Sequence, residues 1–430
     1  MHLGYDVYPL LVQVGRPTKI TIRPKYDHCR FIPEVEHKVT VIPTQWWEPV
    51  SLPAAASGGG QSQTVGDEGA LHIDVCCEKE QEYVILVDTI SAKGKPVRLE
   101  FRFYALEADL FCLRPYKGDF HLHSYYSDGR ECPGYVAASC RRIGMDFMAI
   151  TDHRRYEPSL EAIKDFSGVD IDLRLYPGEE VHPPDVKVHI VNFGGSFSVN
   201  ALFTSPSYNA AIDELAAQLS HIPVAYRRQY AACVWCFEQI RRGGGLGIFC
   251  HPYWFVHNRY DVSEELTSLL LAHQPYDALE LIGGFHRWEA ESNSLQVARY
   301  HTEQANGKKI PLVGASDSHG CDTADLFGWY YTVIFAPSPE LNDIVAAVKD
   351  FRSVAVEAMS GETPRVHGSF RLVKYTYFLL REVFPLHDVI CAAEGDQMLA
   401  YLTGDDQAAE ALQKSKGRVA TLYNQLWAEN

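Results

Sequence analysis

The chain has 430 residues, of which 46% are hydrophobic and 22% are charged, an ordinary balance for a globular protein of about two or three domains. Its formal net charge of −16 argues against a protein that wraps long nucleic acid, which needs basic patches. The charge does not exclude a small anionic substrate, because bound metal ions can reverse the local potential.

The sequence has no apolar stretch of roughly 18 residues, so we expect no membrane helix. The first residues do not combine a basic start with a hydrophobic run, so no secretory signal is expected. Eleven cysteines occur without zinc-finger spacing, which favours buried, reduced thiols. These features together predict a cytoplasmic protein.

Residues 1–115 contain segments in which apolar and polar residues alternate, at residues 18–23, 37–42, 71–75 and 97–103. A period of two is typical of strands with one buried face. We therefore expect a small antiparallel β-sandwich, with a surface loop at residues 54–69. Trp46 and Trp47 are adjacent and would point to opposite faces of a strand, so one of them is expected in the core.

From residue 116 to residue 363, short apolar runs alternate with helical stretches, which predicts a parallel sheet closed as a β/α barrel. Residues 133–143 illustrate the pattern, with Pro133 in the first turn and Gly144 as the stop. Residues 194–245 exceed a normal connection and predict a helical insertion that covers the site. Residues 364–430 are expected to form a helical tail packed on the barrel.

Metal-ligand side chains follow the apolar runs of this second region. His121 and His123 are one residue apart and point the same way from a strand, so two imidazoles can bind one ion. Barrels of this kind carry their catalytic groups at such strand ends. The further side chains in these positions are Asp128, His153, Glu180, His189, His251, Asp317 and His319. Mixed imidazole and carboxylate ligands suit Zn²⁺, Mn²⁺ or Fe, so the set predicts two or three divalent ions.

The residues of these motifs, and their order along the chain, resemble those of the PHP family, the polymerase and histidinol phosphatase domain. The resemblance covers about residues 117–337 and rests on His121-Leu122-His123-Ser124, Ser127-Asp128-Gly129, Ile150-Thr151-Asp152-His153, His251-Pro252 and Ser316-Asp317-Ser318-His319. It implies an α/β fold with a distorted, seven-stranded β/α barrel, here preceded by the β-sandwich. It also implies a metal-dependent phosphoric ester hydrolase with a trinuclear centre.

The resemblance distributes the ligands over three ions. The first ion would take His121, His123, Glu180 and Asp317. The second would share Glu180 and add His189 and His251. The third would take Asp128, His153 and His319. Glu180 is chosen over Glu179 because the family pattern resembles Gly-x-Glu, and the assignment fails if Glu179 faces the metals instead.

Several polar residues near the motifs match no family ligand. Arg154, Arg155, His286 and Arg287 follow strand ends and are candidates for binding a substrate phosphate, with a solvated surface role as the alternative. His182 and His257 are expected to be surface or structural histidines. Glu280 is interpreted as a supporting or structural residue, and Asn293 as a helix cap.

The function that these residues predict is hydrolysis of a small phosphomonoester. A hydroxide between two metal ions would attack the phosphorus, because coordination lowers the pKa of water. The alternative is a phosphodiesterase or exonuclease acting on short oligonucleotides or cyclic nucleotides, and an amide-cleaving metallohydrolase is a further one. In another class, the protein would be a non-catalytic binding protein that uses the β-sandwich.

The expected partner is a small phosphorylated substrate. Long nucleic acid and a membrane are not expected, and the sequence is compatible with an oligomer. The physiological substrate cannot be read from the sequence, because the insertion and the loops after His251 and Ile282 carry no recognisable code.

Overall fold

The structure, a computed structural model, describes residues 4–48, 63–66, 68–91, 94–322 and 326–429. It has a mixed α/β architecture and divides into two compact units. The first unit comprises Met1–Arg114, Lys374–His387 and Gly417–Asn430, and the second comprises Pro115–Val373 and Asp388–Lys416. The division after Arg114 lies beside the boundary expected at residue 115.

The first unit contains two four-stranded sheets, β1-β3-β6-β5 and β2-β8-β7-β4. Their strands are β1 (Tyr5–Tyr8), β2 (Leu11–Gln13), β3 (Thr18–Pro24), β4 (Lys38–Pro43), β5 (Gln63–Val65), β6 (Leu71–Val75), β7 (Gln81–Ile90) and β8 (Pro96–Leu106). Buried and half-buried residues alternate in β6 and β7, as the sequence predicts. One apolar core draws Ile20, Ile73, Ile85 and Phe103 from both sheets. The β-sandwich stays a prediction in its details, and the loop expected at residues 54–69 lies mostly outside the described residues.

The expectation that Trp46 or Trp47 belongs to the core is wrong. The exposed fractions of the two side chains are 64% and 95%. The reason is that β4 ends at Pro43, so the pair lies in a turn and the alternation of a strand does not apply to it.

The second unit contains a six-stranded sheet, β11-β10-β9-β19-β20-β21, a five-stranded sheet, β12-β13-β14-β17-β18, and the small hairpin β15-β16. The strands are β9 (Arg114–Asp119), β10 (Phe147–Ala149), β11 (Arg174–Tyr176), β12 (Gly178–Val181), β13 (Ile190–Phe193), β14 (Leu246–Phe249), β15 (Phe255–Val256), β16 (Arg259–Tyr260), β17 (Ala278–Gly283), β18 (Leu312–Ala315), β19 (Tyr330–Ala336), β20 (Ser353–Glu357) and β21 (Arg365–His367). Isolated parallel bridges join Leu122 to Ser318 and His153 to Glu180.

The purely parallel sheet expected for this unit is wrong. Strands β9, β10 and β11 pair in parallel, as do β14, β17 and β18, but β12-β13, β13-β14, β19-β20 and β20-β21 are antiparallel. A short loop without a helix joins β12 to β13, and such a loop returns the chain antiparallel, whereas a parallel pair needs a longer crossover. The seven-stranded barrel stays a prediction.

The helices alternate with the strands of the second unit as expected. They are α1 (Ala108–Phe111), which precedes that unit, then α2 (Pro133–Arg142), α3 (Glu157–Asp165), α4 (Tyr208–Gln218), α5 (Val224–Arg242), α6 (Glu264–His273), α7 (Ala290–Ala305) and α8 (Leu341–Lys349). Short 3₁₀ helices cover Asp27–Cys29, Asn200–Thr204 and Arg287–Glu289. Helix α2 begins at Pro133 and Gly144 follows it with φ of 94°, a conformation that favours glycine.

Asn293 is not a helix cap. It lies inside α7, and its side-chain oxygen accepts a 3.0 Å hydrogen bond from the Gly283 backbone. The helix begins earlier than expected because the 3₁₀ turn Arg287–Glu289 leads directly into it.

The C-terminal region is helical, with α9 (Phe370–Phe378), a π-helical turn (Leu379–Val383), α10 (Phe384–Leu402), α11 (Asp406–Ser415) and α12 (Arg418–Leu426). Lys374–His387 and Gly417–Asn430 belong to the first unit and Asp388–Lys416 belongs to the second, and the packing of this region on a barrel stays a prediction. Aromatic packing explains the placement of Lys374–His387: the rings of Tyr375 and Phe378 lie 5.2 and 5.4 Å from that of Tyr104.

An apolar layer supports the strand ends of the second unit. The ring of Phe120 lies 4.6 Å from Phe193 and 5.2 Å from Phe147, and all three side chains are fully buried. Because side chains alternate, burying Phe120 turns its neighbour His121 to the opposite side.

None of the helices that the structure describes is long and apolar enough to cross a membrane. All eleven cysteines lie in described residues and carry free thiols.

A buried ion-pair network joins α2 to α10. The Arg141 guanidinium is fully buried, and it donates to Glu394 Oε2 at 2.8 Å and to Asp146 Oδ1 at 3.0 Å. A buried charge without its partner is strongly unfavourable.

We predict that Glu394→Ala lowers the free energy of unfolding by about 3–5 kcal/mol, because Arg141 would keep its buried charge and lose a partner. Urea unfolding followed by circular dichroism measures the change. Glu410→Ala removes an exposed pair with Lys414 and should cost less than about 1 kcal/mol. Equal effects of the two substitutions would contradict the prediction.

Candidate metal centre

His121 and His123 are presented by a chain segment that continues β9 and is held on both sides. The Asp317 N–H donates to His121 O at 2.9 Å, and the His123 N–H donates to Ser318 O at 2.9 Å. On the other side, the Thr151 N–H donates to Leu122 O at 2.7 Å. The two imidazoles therefore face the same side from a rigid backbone, with ring centroids 5.1 Å apart.

Glu180 lies at the middle of a group of imidazoles, and its side chain is fully buried. Its Oε1 atom lies 2.7 Å from His189 Nδ1, 3.5 Å from His251 Nε2 and 3.7 Å from His121 Nε2. Its Oε2 atom lies 3.8 Å from His123 Nε2 and also contacts His153 Nδ1.

Two aspartates complete the site from opposite sides. Asp317 Oδ1 lies 2.8 Å from His123 Nε2 and 3.2 Å from His121 Nε2. The oxygens of Asp128 lie 3.2 Å from His319 Nε2, 3.3 Å from His153 Nε2 and 3.8 Å from His123 Nδ1.

The structure thus brings together all nine side chains that the sequence singled out as ligands. Three subsets each have their ligand atoms within 4.8 Å of one another: His123, Asp128, His153 and His319; His121, His123 and Glu180; and His121, His251 and Asp317. We refer to the nine residues as the ligand cluster.

The electrostatics of the ligand cluster favour a bound cation. Burial raises the pKa of Glu180, but His189 and His121 outweigh it and hold this pKa well below its usual range. Burial opposes protonation of His121, yet Asp317 and Glu180 raise the pKa of His121 well above its ordinary value. Burial likewise opposes protonation of His153, and Asp128 and Glu180 still raise its pKa to about 10. Ionised carboxylates therefore dominate the site.

The donor set fits divalent metal ions. His121 Nε2, His189 Nδ1 and both Glu180 oxygens are buried and form no hydrogen bond of good geometry with a described residue, although they lie within ion-pair distance of one another. Buried polar atoms normally have partners, and crowded nitrogen and oxygen lone pairs are satisfied together by one cation. Imidazole and carboxylate donors suit Zn²⁺, Mn²⁺ or Fe.

Glu179 points away from the cluster and anchors the chain after β13. Its carboxylate accepts hydrogen bonds from Val199 N–H at 2.5 Å, Ser198 Oγ at 2.7 Å and Asn200 Nδ2 at 2.9 Å. Adjacent strand residues face opposite sides, so Glu180 is the one that meets the imidazoles. The geometry therefore agrees with the choice of Glu180 over Glu179.

Two further buried aspartates hold the backbone of the site by accepting hydrogen bonds. No sequence motif indicated this role. Asp152 accepts from Ser124 N–H at 2.9 Å and from Ser127 Oγ at 2.5 Å, which fixes the loop that carries Asp128. Asp119 accepts from the His121 N–H at 3.2 Å and the Ser316 N–H at 3.0 Å.

Glu280 supports one imidazole from behind, as expected of a supporting residue. It is fully buried, and its Oε2 atom lies 3.0 Å from His121 Nδ1, the ring nitrogen that faces away from Asp317. A carboxylate in this position fixes the tautomer and orientation of a metal-binding histidine.

His182 lies against the ligand cluster, where the sequence suggested a surface or structural histidine. Its Nε2 atom lies 3.0 Å from His153 Nδ1 and 3.4 Å from Glu180 Oε2. The signal that would have found it is the spacing Glu180-x-His182, which puts both side chains on one face of the chain. His257 lies in the hairpin turn between β15 and β16 and is exposed.

A cavity of about 760 Å³ opens beside the cluster at His182. Of the four residues suggested for substrate binding, Arg154 is the one that lines it. The Arg154 N–H donates to Glu180 O at 2.9 Å, and its φ of 60° is in the left-handed region, which is rare for a residue other than glycine. The remaining lining residues are Tyr156, Glu157, Pro183, Pro184, Asp185, Val186, Lys187, Ser198, Asn200, Ala201 and Phe203.

The other three residues suggested for substrate binding do not line this cavity. They are Arg155, His286 and Arg287. The Arg155 guanidinium lies 5.9 Å from the centroid of the Tyr126 ring. The His286 N–H donates to Glu289 Oε2 at 3.0 Å in a capping box. Arg287 donates to Ser360 O at 2.5 Å. These contacts hold loops, and substrate binding by the three residues stays a prediction.

Comparison with known proteins gives three similarities. The chain is 23% identical over 265 residues to the DNA polymerase/3′-5′ exonuclease PolX of Bacillus subtilis strain 168, covering 58% of this chain and 44% of that protein. It is 19% identical to a solved two-domain protein containing a predicted PHP-like metal-dependent phosphoesterase from Bacteroides vulgatus, covering 57% and 65% of the two chains with a TM-score of 0.39. It is 20% identical to a protein assigned as a metal-dependent phosphoesterase from Bifidobacterium adolescentis, covering 47% and 87% with a TM-score of 0.33.

No family model matches the chain. The match spans less than half of the curated relative and about two thirds of the Bacteroides protein. The resemblance to PHP phosphoesterases predicted from the motifs is thus also found by comparison.

We predict that Glu180→Gln lowers the affinity for Mn²⁺ at least about tenfold. Substitution of a residue that only supports a metal ligand already lowers metal affinity by about 10–100-fold, and Glu180 is itself a candidate ligand. Titration calorimetry and the metal content after dialysis measure the effect. Glu179→Gln is the matched control: it should keep the metal affinity and lose about 1–3 kcal/mol of unfolding free energy through its buried hydrogen bonds. The reverse pattern would assign the metals to Glu179.

Proposed function

We propose that this chain is a metal-dependent phosphoesterase that hydrolyses a small phosphomonoester at a centre of two or three divalent ions. The observation that carries the proposal is the convergence of the six histidines, two aspartates and one glutamate of the ligand cluster at one group of strand ends. When bound, Zn²⁺, Mn²⁺ or Fe ions supply an activated water and neutralise the charge of the phosphate.

We propose the same distribution of ligands that the resemblance implies. The first ion takes His121, His123, Glu180 and Asp317, the second takes Glu180, His189 and His251, and the third takes Asp128, His153 and His319. The contacts of Asp128 to His153 and His319 support a third site, which adjoins the other two because His153 also contacts Glu180.

The protein's own residues have separate tasks in this reaction. Glu280 orients His121, and Asp152 holds the loop of Asp128, so the ligands are arranged before the substrate arrives. No described hydrogen bond or ion pair engages the Arg154 guanidinium, which lines the cavity beside the cluster and is placed to meet negative charge on the substrate.

The names of the relatives support this reaction class, metal-dependent hydrolysis of phosphoric esters. We further propose that the substrate is small, because the net charge of −16 disfavours long nucleic acid. The eleven free thiols support a cytoplasmic location.

We predict that His121→Ala and Asp317→Asn each lower the turnover of p-nitrophenyl phosphate by at least about a hundredfold. This is the loss of kcat that typically follows when one group that stabilises charge in the transition state is removed. The controls His301→Ala and Asp350→Asn change exposed residues and should keep the activity. Thermal unfolding checks that all four variants are folded. Full activity in folded, metal-analysed His121→Ala would contradict the proposed centre.

A second candidate, exonuclease or phosphodiesterase activity, is favoured by one observation. The curated relative is named as a DNA polymerase and 3′-5′ exonuclease, and the match covers 58% of the present chain. The same ligand cluster would serve, since the ester differs only in its second substituent.

Monoester and diester substrates separate the two candidates. We predict that kcat/KM for p-nitrophenyl phosphate exceeds that for its bis-ester by about tenfold or more, with Mn²⁺, Zn²⁺ and Fe²⁺ each added separately, because the dianionic monoester places more negative charge at the divalent ions than the monoanionic diester does. Release of mononucleotides from a short single-stranded oligonucleotide at a higher kcat/KM than the monoester would instead establish the second candidate.

A further inference from the structure

A partly exposed tryptophan stands next to the ligand cluster. The exposed fraction of Trp254 is 38%, and its ring centroid lies 6.0 Å from His189 and 6.0 Å from His251. The interplanar angles of 50° and 77° show that neither imidazole stacks flat on the indole. A large aromatic surface is therefore available within one ring diameter of two candidate ligands.

The backbone of Trp254 is fixed on both sides. Its N–H donates to His251 O at 3.1 Å, and its carbonyl accepts from the Asp261 N–H at 2.9 Å. Asp261 also lies 3.6 Å from Lys187 Nζ, and Lys187 lines the cavity that opens beside the cluster. The backbone that carries the indole is thus fixed relative to His251, and Asp261 connects it to Lys187 in the wall of the cavity.

The cavity has room for a leaving group of some size. Its volume of about 760 Å³ lies within the range of about 300–1,000 Å³ that is typical of small-molecule sites. It begins at His182, whose ring centroid is 4.0 Å from that of His189, and its lining includes the aromatic residues Tyr156 and Phe203. Trp254 is not among the residues that line this cavity, so a stacking role for it rests on its distances to His189 and His251.

Two other exposed aromatic side chains of the second unit have a different arrangement. The ring of Trp288 stacks on His286 at 4.5 Å, and that of Tyr125 stacks on Tyr126 at 4.6 Å. A neighbouring ring therefore covers part of the face of Trp288 and of Tyr125. In contrast, neither His189 nor His251 stacks on the face of Trp254.

We propose that Trp254 stacks on a planar ring in the leaving group, so that the substrate is a phosphomonoester of a ring-bearing alcohol such as a nucleoside. This inference rests on the proposed phosphomonoesterase activity. Tryptophan suits this role because it offers the largest flat apolar surface, and stacking tolerates different bases.

The test compares two esters that differ only in the ring, adenosine 5′-monophosphate and ribose 5-phosphate. We expect the wild type to have a higher kcat/KM for the nucleotide, and Trp254→Ala to lower this preference roughly 5- to 100-fold, the range found when alanine replaces an aromatic side chain that stacks on a base. Trp254→Phe should restore part of it. Trp47→Ala, which removes an exposed indole from the first unit, should keep the wild-type preference.

Binding of adenosine, which has no phosphate, gives a readout that does not depend on turnover. Equilibrium dialysis should show weaker binding to Trp254→Ala than to the wild type and Trp47→Ala. Equal kcat/KM for the two esters in the wild type, or a preference that survives in Trp254→Ala, would overturn the stacking role and leave the phosphoesterase standing. Hydrolysis of neither ester with any of the three metals, together with unchanged adenosine binding in Trp254→Ala, would overturn both proposals.

Discussion

The burial of a single carboxylate, that of Glu180, is the constraint on which the candidate site depends. An ionised carboxylate taken out of water costs several kcal/mol unless positive charge or hydrogen-bond donors surround it. Here the surrounding groups are five imidazoles carried by four different chain segments, so the fold must bring those segments together for the carboxylate to be buried at all. Position and charge of the site are thereby linked: the arrangement that buries Glu180 also creates a strong preference for cations.

Two other buried carboxylates in this region, those of Asp119 and Asp152, accept hydrogen bonds from backbone groups. Asp119 joins the segments of His121 and Ser316, and Asp152 closes the loop after His123. In these positions a carboxylate accepts hydrogen bonds from several N–H or O–H groups at once. Hydrogen bonds to a charged acceptor are strong, so they fix irregular backbone where regular sheet pairing is absent. The ligands are therefore held by hydrogen bonds that no metal needs to supply, and that is the condition for a preorganised centre.

The ligand cluster was predictable because most of its members follow an apolar run and alternation fixes the direction of their side chains. His121 with His123, and Glu180 against Glu179, depend only on this local rule. His189 instead directly precedes β13, whose antiparallel direction brings the start of that strand to the same edge. Asp119 and Asp152 were not predictable in the same way, since their partners are set by which segments meet in space. The core position expected for Trp46 or Trp47 failed because β4 ends at Pro43, a residue that interrupts strand pairing, so the alternation does not extend to the two tryptophans. The parallel sheet failed at β12 and β13, where a short loop without a helix reverses the chain.

Glu179 and Glu180 share a peptide bond, although one anchors residues 198–200 and the other stands among the imidazoles. The short strand β12 is therefore held from both of its faces, by hydrogen bonds to residues 198–200 on one face and by the imidazoles on the other. The segment that leads into α4 thus begins at an anchor only one residue away from the central carboxylate.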